Sequence, residues 1–194
     1  MIDCDTIEGL KEQIILYDDE LAYASLYKHC FPSLTRFAYS YIKSREIAEE
    51  IASDVLLKIW RLRKKLDTVS DFRLYLYVST KNTALNELKK QKRLQHHSLE
   101  EPAIWMKADD CTPEQQLISA EFLKKIQTAI HRLPPRCRLI YKLIKEDGLK
   151  YREAAEVLDL SVKTIEAQMG IALKRLYRVF QNNMEEKSIK HTDK

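Results

Sequence analysis

Residues 151–176, YREAAEVLDLSVKTIEAQMGIALKRL, decide the fold. Two helical stretches, Tyr151–Leu158 and one starting at Val162, are parted only by Asp159-Leu160-Ser161. Ala155 is small where two helices would cross closely, and Leu160 and Ile165 fill the angle between them. Asp159 stands in the turn, where glycine is usual because φ is positive. Aspartate tolerates that region better than most residues. Ser161 is a side-chain cap for the second helix, whose inner stripe is Ile165, Met169, Ala172, Leu173 and Leu176. The pattern is that of a helix-turn-helix, with a plain helical hairpin as the alternative. The outer face of the second helix shows Lys163, Thr164, Glu166, Ala167, Gly170 and Ile171, followed by Lys174, Arg175 and Arg178. Residues near the start of such a helix reach base edges, while lysines and arginines hold phosphates.

Moving upstream, the spacing predicts a helix over 117–133 with Phe122, Ile126, Ala129 and Ile130 inward. Pro134-Pro135 stops it, and a helix over 136–145 follows, carrying Leu139, Ile140, Leu143 and Ile144 until Gly148 breaks it. Thr112-Pro113-Glu114 reads as a helix start, with Thr112 as cap and Pro113 in the first turn. Gln95 to Thr112 has no periodicity and reads as a linker.

The N-terminal half is helical too. Residues 18–43 place Ala22, Leu26, Cys30, Leu34, Phe37 and Tyr41 at three- and four-residue steps, with a kink or interruption expected at Pro32. Ser44 caps the next helix, whose stripe runs Ile47, Ile51, Val55, Ile59, Leu62, Leu66. Its other face carries Glu46, Glu50 and Asp54 four residues apart, with Glu49 adjacent. Like charges at that spacing cost a helix a few tenths of a kcal/mol per pair. The helix dipole accounts for acids in the first turn but not for Asp54. An acidic docking stripe for a basic partner and a solvated face both fit.

Residues 71–93, DFRLYLYVSTKNTALNELKKQKR, alternate like a strand at first, then turn helical. A lone strand would have no partner, so the segment is read as helix. Asn82, Asn86, Lys89 and Arg93 then share one polar, cationic face. Phe72, Tyr75 and Tyr77 lie upstream, interleaved with Arg73 and Lys81. Aromatics can stack on unpaired bases at about 1–3 kcal/mol each while cations follow phosphates, although for any single ring a place in the core of a short helix is the better reading.

Composition agrees with an all-α chain. Three glycines in 194 residues are too few for the turns and phosphate loops of strand-rich or α/β folds. No apolar run approaches the roughly 18–20 residues that span a bilayer. The acidic start, MIDCD, has no signal-peptide core, so a cytoplasmic location is expected. Cys4, Cys30, Cys111 and Cys137 are scattered, and the pairs His29-Cys30 and His96-His97 lack a second ligand pair; neither a disulfide framework nor a zinc site is expected. Charge is unevenly distributed. Residues 1–20 hold seven acids against Lys11, and residues 58–93 hold eleven bases against three acids. Residues 98–117 hold five acids against Lys107, and residues 121–180 thirteen bases against seven acids. Two basic blocks separated by acidic, irregular chain suit two nucleic-acid-facing modules joined by a linker, though a lysine-rich solvated surface would show the same excess.

The stretches IAEEIASDVLLKIW (47–60), YLYVSTKNTALNELKKQKR (75–93), TPEQQL (112–117), LPPRCRLIYKL (133–143) and DGLKYREAAEVLDLSVKTIEAQMGIALKRL (147–176) together resemble the extracytoplasmic-function (ECF) sigma factors of the sigma-70 family. The resemblance covers about 20–180, in the family's order. It implies two small helical domains joined by a flexible linker. One, over 18–94, docks on core RNA polymerase and binds and melts the minus-ten element. The other, over 113–182 after a linker at 95–112, reads the minus-thirty-five element. It implies that Glu49, Glu50, Ser53 and Asp54 meet the polymerase. Phe72, Tyr75, Tyr77, Lys81, Asn82, Asn86, Lys89 and Arg93 would take minus-ten DNA. Ser161, Lys163, Thr164, Glu166, Ala167, Gly170, Ile171, Lys174 and Arg175 would take minus-thirty-five DNA. Ser53 departs from the glutamine common in the family, and Glu166 and Ala167 from arginine or serine. Core RNA polymerase, promoter DNA and an anti-sigma factor, which can be membrane-anchored, are the implied partners. No catalytic residue, metal, cofactor or small-molecule substrate is expected. The competing reading is a stand-alone helix-turn-helix regulator. An enzyme is disfavoured because no clustered carboxylates or Ser/His/Asp set is present.

Overall fold

A computed structural model describes residues 4–94 and 117–192. Helix α1 spans Cys4–Tyr17, α2 Glu20–Ile42, α3 Arg45–Arg61 and α4 Phe72–Leu94, with a short 3₁₀ turn at Arg63–Thr68. Then come α5 at Leu117–His131, α6 at Pro135–Lys145, α7 at Tyr151–Leu158 and α8 at Val162–Thr192. No strand occurs among the described residues.

Short polar side chains set the joints. The Asp19 carboxylate accepts the N–H groups of Leu21 and Ala22 at 2.8 and 3.1 Å, which starts α2. At its other end Lys43 turns left-handed, with φ of 59°, and donates its N–H to the Tyr39 carbonyl. Ser44 Oγ then accepts from Ile47 N and opens α3. The expected interruption at Pro32 does not occur: α2 is continuous. Pro32 and Lys28 are both exposed, so the carbonyl that proline leaves without a helical donor is on the solvent side.

The stripes read from periodicity form the core. Leu26, Leu34 and Phe37 of α2 pack with Val55, Leu56 and Ile59 of α3 and with Phe72 and Leu76 of α4. Cys30 lies among them, where burial pushes its thiol up to about 12 and keeps it from forming the reactive thiolate. Helix α1 was not expected. Its Ile7 and Ile14 are buried, and Lys11 donates to the Val69 carbonyl at 2.6 Å.

In the C-terminal part, Pro135 occupies the first turn of α6, and Leu139, Ile140 and Leu143 face inward. Asp159 adopts φ of 52° at the end of α7, and the Leu160 N–H returns to the Ala155 carbonyl at 2.9 Å. Ser161 Oγ accepts from Thr164 N at 3.1 Å and starts α8. Ile165, Met169, Ala172 and Leu176 are buried as expected. Leu173 is instead 45% exposed, because it lies one step around the helix from Ala172. Helix α8 continues to Thr192, past the expected end near Phe180. The Thr112 cap and the linker at 95–112 lie outside the described residues.

One continuous apolar cluster runs through both halves: Leu139, Ile140 and Leu143 of α6 share it with Leu34, Phe37 and Tyr77.

Candidate nucleic-acid interface

Helix α4 carries the first surface. Asn82, Asn86, Lys89 and Arg93 are all exposed, on successive turns of one face. Two amides and two cations thus line about 16 Å of helix, at 1.5 Å per residue. Such a face can hydrogen-bond a base edge and hold phosphates.

The upstream aromatics differ from the sequence expectation. Phe72 is fully buried and Tyr77 is 4% exposed, so neither offers a free ring for stacking on bases in this structure. Phe72 lies under the Lys11 ammonium, and Tyr77 meets Phe37 edge-to-face at 5.1 Å. Burial, and then the neighbouring Asp147 carboxylate, hold the Tyr77 hydroxyl well above its ordinary value. The physical reason is that α4 is covered on two sides, by α1 and α2 and by the C-terminal helices, so its first turns have no solvent face wide enough for three rings. Tyr75 is half-buried. Lys81 is also buried, and its ammonium lies 2.5 Å from the Asp159 carboxylate of the helix-turn-helix.

Helix α3 carries the acidic face. Glu50 and Asp54 are exposed and have no hydrogen-bond or ion-pair partner among the described residues. The other acids are accounted for locally. Glu46 accepts from Ser44 Oγ at the cap, and Glu49 pairs with Arg45 at 2.9 Å. Ser53 is half-buried, its hydroxyl 3.1 Å from that of Tyr27, so it joins α3 to α2.

The second surface is the start of α8. Lys163, Glu166, Ala167, Gly170, Ile171, Lys174 and Arg175 are exposed, as is Ser161. Thr164 is half-buried, with its hydroxyl 2.9 Å from that of Ser161, which places it in the cap. Nothing lies within 4 Å of where a side chain at Gly170 would begin, so the backbone there is open to close approach. Below it, the Cys137 thiol donates to Gln168 Oε1 at 2.8 Å and ties α8 to α6. Burial raises that thiol as well.

Sequence reasoning gave no role to Arg36 or Asp147, and placed Arg73 only among the aromatics and Asp159 only in the turn, without the partners they have here. The only local signal was glycine at 148, beside Asp147. Gly148 takes φ of 76°, and the Arg73 guanidinium fills the space a side chain there would need.

The model of sigma-70 region 2 matches residues 26–94, which hold α3 and α4, and that of sigma-70 region 4 matches 123–176, which hold the helix-turn-helix. The chain is 26% identical over 161 residues to the ECF RNA polymerase sigma factor RpoE of Cereibacter sphaeroides, covering 81% of this chain and 86% of that protein. It is 27% identical to the ECF RNA polymerase sigma-E factor of Haemophilus influenzae, covering 70% of this chain and 73% of that one. Among solved structures, the sigma factor RpoE of Bartonella quintana, in complex with the anti-sigma factor NepR, superposes with a TM-score of 0.52 at 22% identity. That match covers 82% of this chain and 96% of RpoE, and it supports the fold. With region 2 and region 4 present in order on one helical chain, the protein belongs to the sigma-70 family, in its extracytoplasmic-function branch.

Proposed function

We propose that this chain is a sigma subunit that brings core RNA polymerase to promoters and helps open them. The observation that supports it most is the pairing, on one chain, of an exposed amide-and-cation face on α4 with an exposed recognition helix α8.

The two surfaces divide the work. Duplex recognition falls to α8, where Glu166 and its neighbours reach base edges and Lys174 and Arg175 contact phosphates. Strand opening falls to α4. Opening a base pair loses stacking and pairing, and the protein must offset both. Asn82 would hydrogen-bond the edge of an extruded base, with Asn86 beside it and Lys89 and Arg93 on the backbone. Tyr75, the most accessible of the three rings, would supply stacking. Glu50 and Asp54 would dock on a basic surface of the polymerase, with Glu49 and Ser53 placing them.

An anti-sigma factor is the expected antagonist, and the protein would work in the cytoplasm with the polymerase. It would perform no chemistry itself, since bond formation belongs to the enzyme it joins. The test is reconstitution. Added to purified core polymerase, the chain should form a stoichiometric complex and start transcripts at a defined site. Specific binding to a palindromic duplex as a dimer, without polymerase affinity, would instead identify a stand-alone regulator.

A further inference from the structure

Helix α1 precedes the region 2 segment and has no part in the surfaces named above, yet it grips the connection between α3 and α4 at both ends. At the start of that connection, Asp18 takes a left-handed φ of 50° in the joint between α1 and α2, and its carboxylate accepts from Arg63 Nε. That hydrogen bond holds the Asp18 carboxyl below its ordinary value. The same guanidinium lies 4.4 Å from the centre of the Trp60 ring and donates to the Trp60 carbonyl at 3.0 Å. At the far end, Lys11 donates to the Val69 carbonyl at 2.6 Å and Glu8 accepts from Phe72 N at 3.2 Å. The Lys11 ammonium also lies 3.2 Å from the Glu8 carboxylate, which joins these two contacts into one unit.

Lys11 is 8% exposed, so its ammonium sits largely out of water. Burying a cation costs free energy that its partners must offset, and an apolar side chain of similar length would fill the space without that cost. What the charge adds is direction, because the ammonium donates to one particular carbonyl. That carbonyl belongs to a weakly held piece of chain. Between α3 and α4 the backbone runs through the 3₁₀ turn at Arg63–Thr68, a geometry with poorer hydrogen bonds than an α-helix. Of residues 63–71 only Leu66 is buried. This connection sets where α4 begins and how it is turned about its own axis. A slip of one residue rotates a helix by about 100°. Tyr75, Asn82, Asn86 and Lys89 share one face of α4, so any such rotation moves them together.

We propose that α1 is a brace that fixes α4 relative to α3, with Lys11 as its positioning residue. The inference rests on the sigma-factor reading for its consequence but not for the brace itself. Helix α3 carries the acidic docking face and α4 the strand-opening face, so the brace sets where the opening face stands once α3 has docked. Lys11 acts only through the Val69 carbonyl and Glu8. Its loss therefore leaves docking through Glu50 and Asp54 intact and impairs opening.

The test uses the full chain. Lys11→Met keeps the length of the side chain and removes its charge, while Lys11→Arg keeps a donor. In hydrogen exchange without polymerase, the amides of residues 69–77 should exchange at least about threefold faster in Lys11→Met than in wild type, with those of α3 unchanged. With core polymerase, at a temperature well below its melting point, Lys11→Met should bind with wild-type affinity. It should open duplex promoters about threefold to tenfold more slowly, because only the fraction of molecules with α4 in place is competent. Lys11→Arg should recover most of that rate. If Lys11→Met does not fold, Asp18→Asn takes its place: asparagine tolerates the left-handed backbone, and only the ionic contact with Arg63 is lost. It should slow opening by about twofold. The proposal is overturned if exchange over 69–77 is unchanged, or if the folded variant opens promoters as fast as wild type. Equal losses of core affinity and opening rate would also overturn it, by reducing α1 to general support of the fold. If wild-type protein forms no complex with core polymerase, the sigma-factor reading falls, and the exchange experiment alone decides the brace.

Discussion

Glu8 of α1 accepts the backbone N–H of Phe72 at 3.2 Å, so the first helix caps the helix that bears the candidate base-reading face. Asp71 accepts from Leu74 N at 2.8 Å in the same turn, and together they satisfy two of the otherwise unpaired donors at the start of α4. Replacing Glu8 with alanine should cost about 1 kcal/mol, the usual loss for a cap. Urea unfolding will show it as a lower midpoint with unchanged slope. Glu8→Gln keeps an acceptor and should recover most of the loss; equal stability for Glu8→Ala and wild type would mean that water serves Phe72 N–H as well.

The acidic face of α3 should separate binding from stability. Glu50→Lys with Asp54→Lys reverses two exposed charges that have no partner among the described residues. Affinity for core polymerase should fall at least tenfold, about 1.4 kcal/mol. Thermal stability should stay within about 0.5 kcal/mol, as for other surface substitutions. A titration of labelled protein against core polymerase decides it, and unchanged affinity removes α3 from the docking surface.

On α4, amide and cation should fail differently. Asn82→Ala should slow strand opening and change base preference within the minus-ten element. A template with a pre-melted bubble should rescue it, because the opening cost is bypassed. Lys89→Ala should weaken binding on every sequence and flatten the salt dependence by about one unit in the log–log slope. Permanganate footprinting on both templates, at several salt concentrations, separates the two. Normal opening by Asn82→Ala would make Asn82 a solvated residue only.

On α8, Glu166 is exposed beside Lys163 and Gly170. A carboxylate accepts from the amino group of cytosine, which gives discrimination of about 1–3 kcal/mol at one base pair. Glu166→Ala should therefore relax preference at one position of the upstream element in a selection from randomised promoters. A uniform loss at every position would assign Glu166 to orientation rather than readout.

Much of the fold was legible because it is written in local spacing. The stripes Leu26–Cys30–Leu34 and Ile51–Val55–Ile59, the caps at Ser44 and Ser161 and the left-handed Asp159 all act within one or two turns. The chain carries them whatever lies beyond. Helix α1 was missed because the acids around it mask the spacing of Ile7 and Ile14, whose burial depends on α2 and α4. The exposed face of Asn82, Asn86, Lys89 and Arg93 also follows from helical period. Which rings stay free does not: Phe72 and Tyr77 disappear under helices that the α4 sequence does not contain. Lys81 finds Asp159 across 78 positions and Arg36 finds Asp147 across 111, and no local propensity encodes such pairs. The sequence by itself determined the helices, their caps and the two basic faces, because those depend on neighbours a few residues away. Tertiary structure alone decided which of those residues are sealed in the contact between the halves, because burial and charge pairing there depend on distance in space.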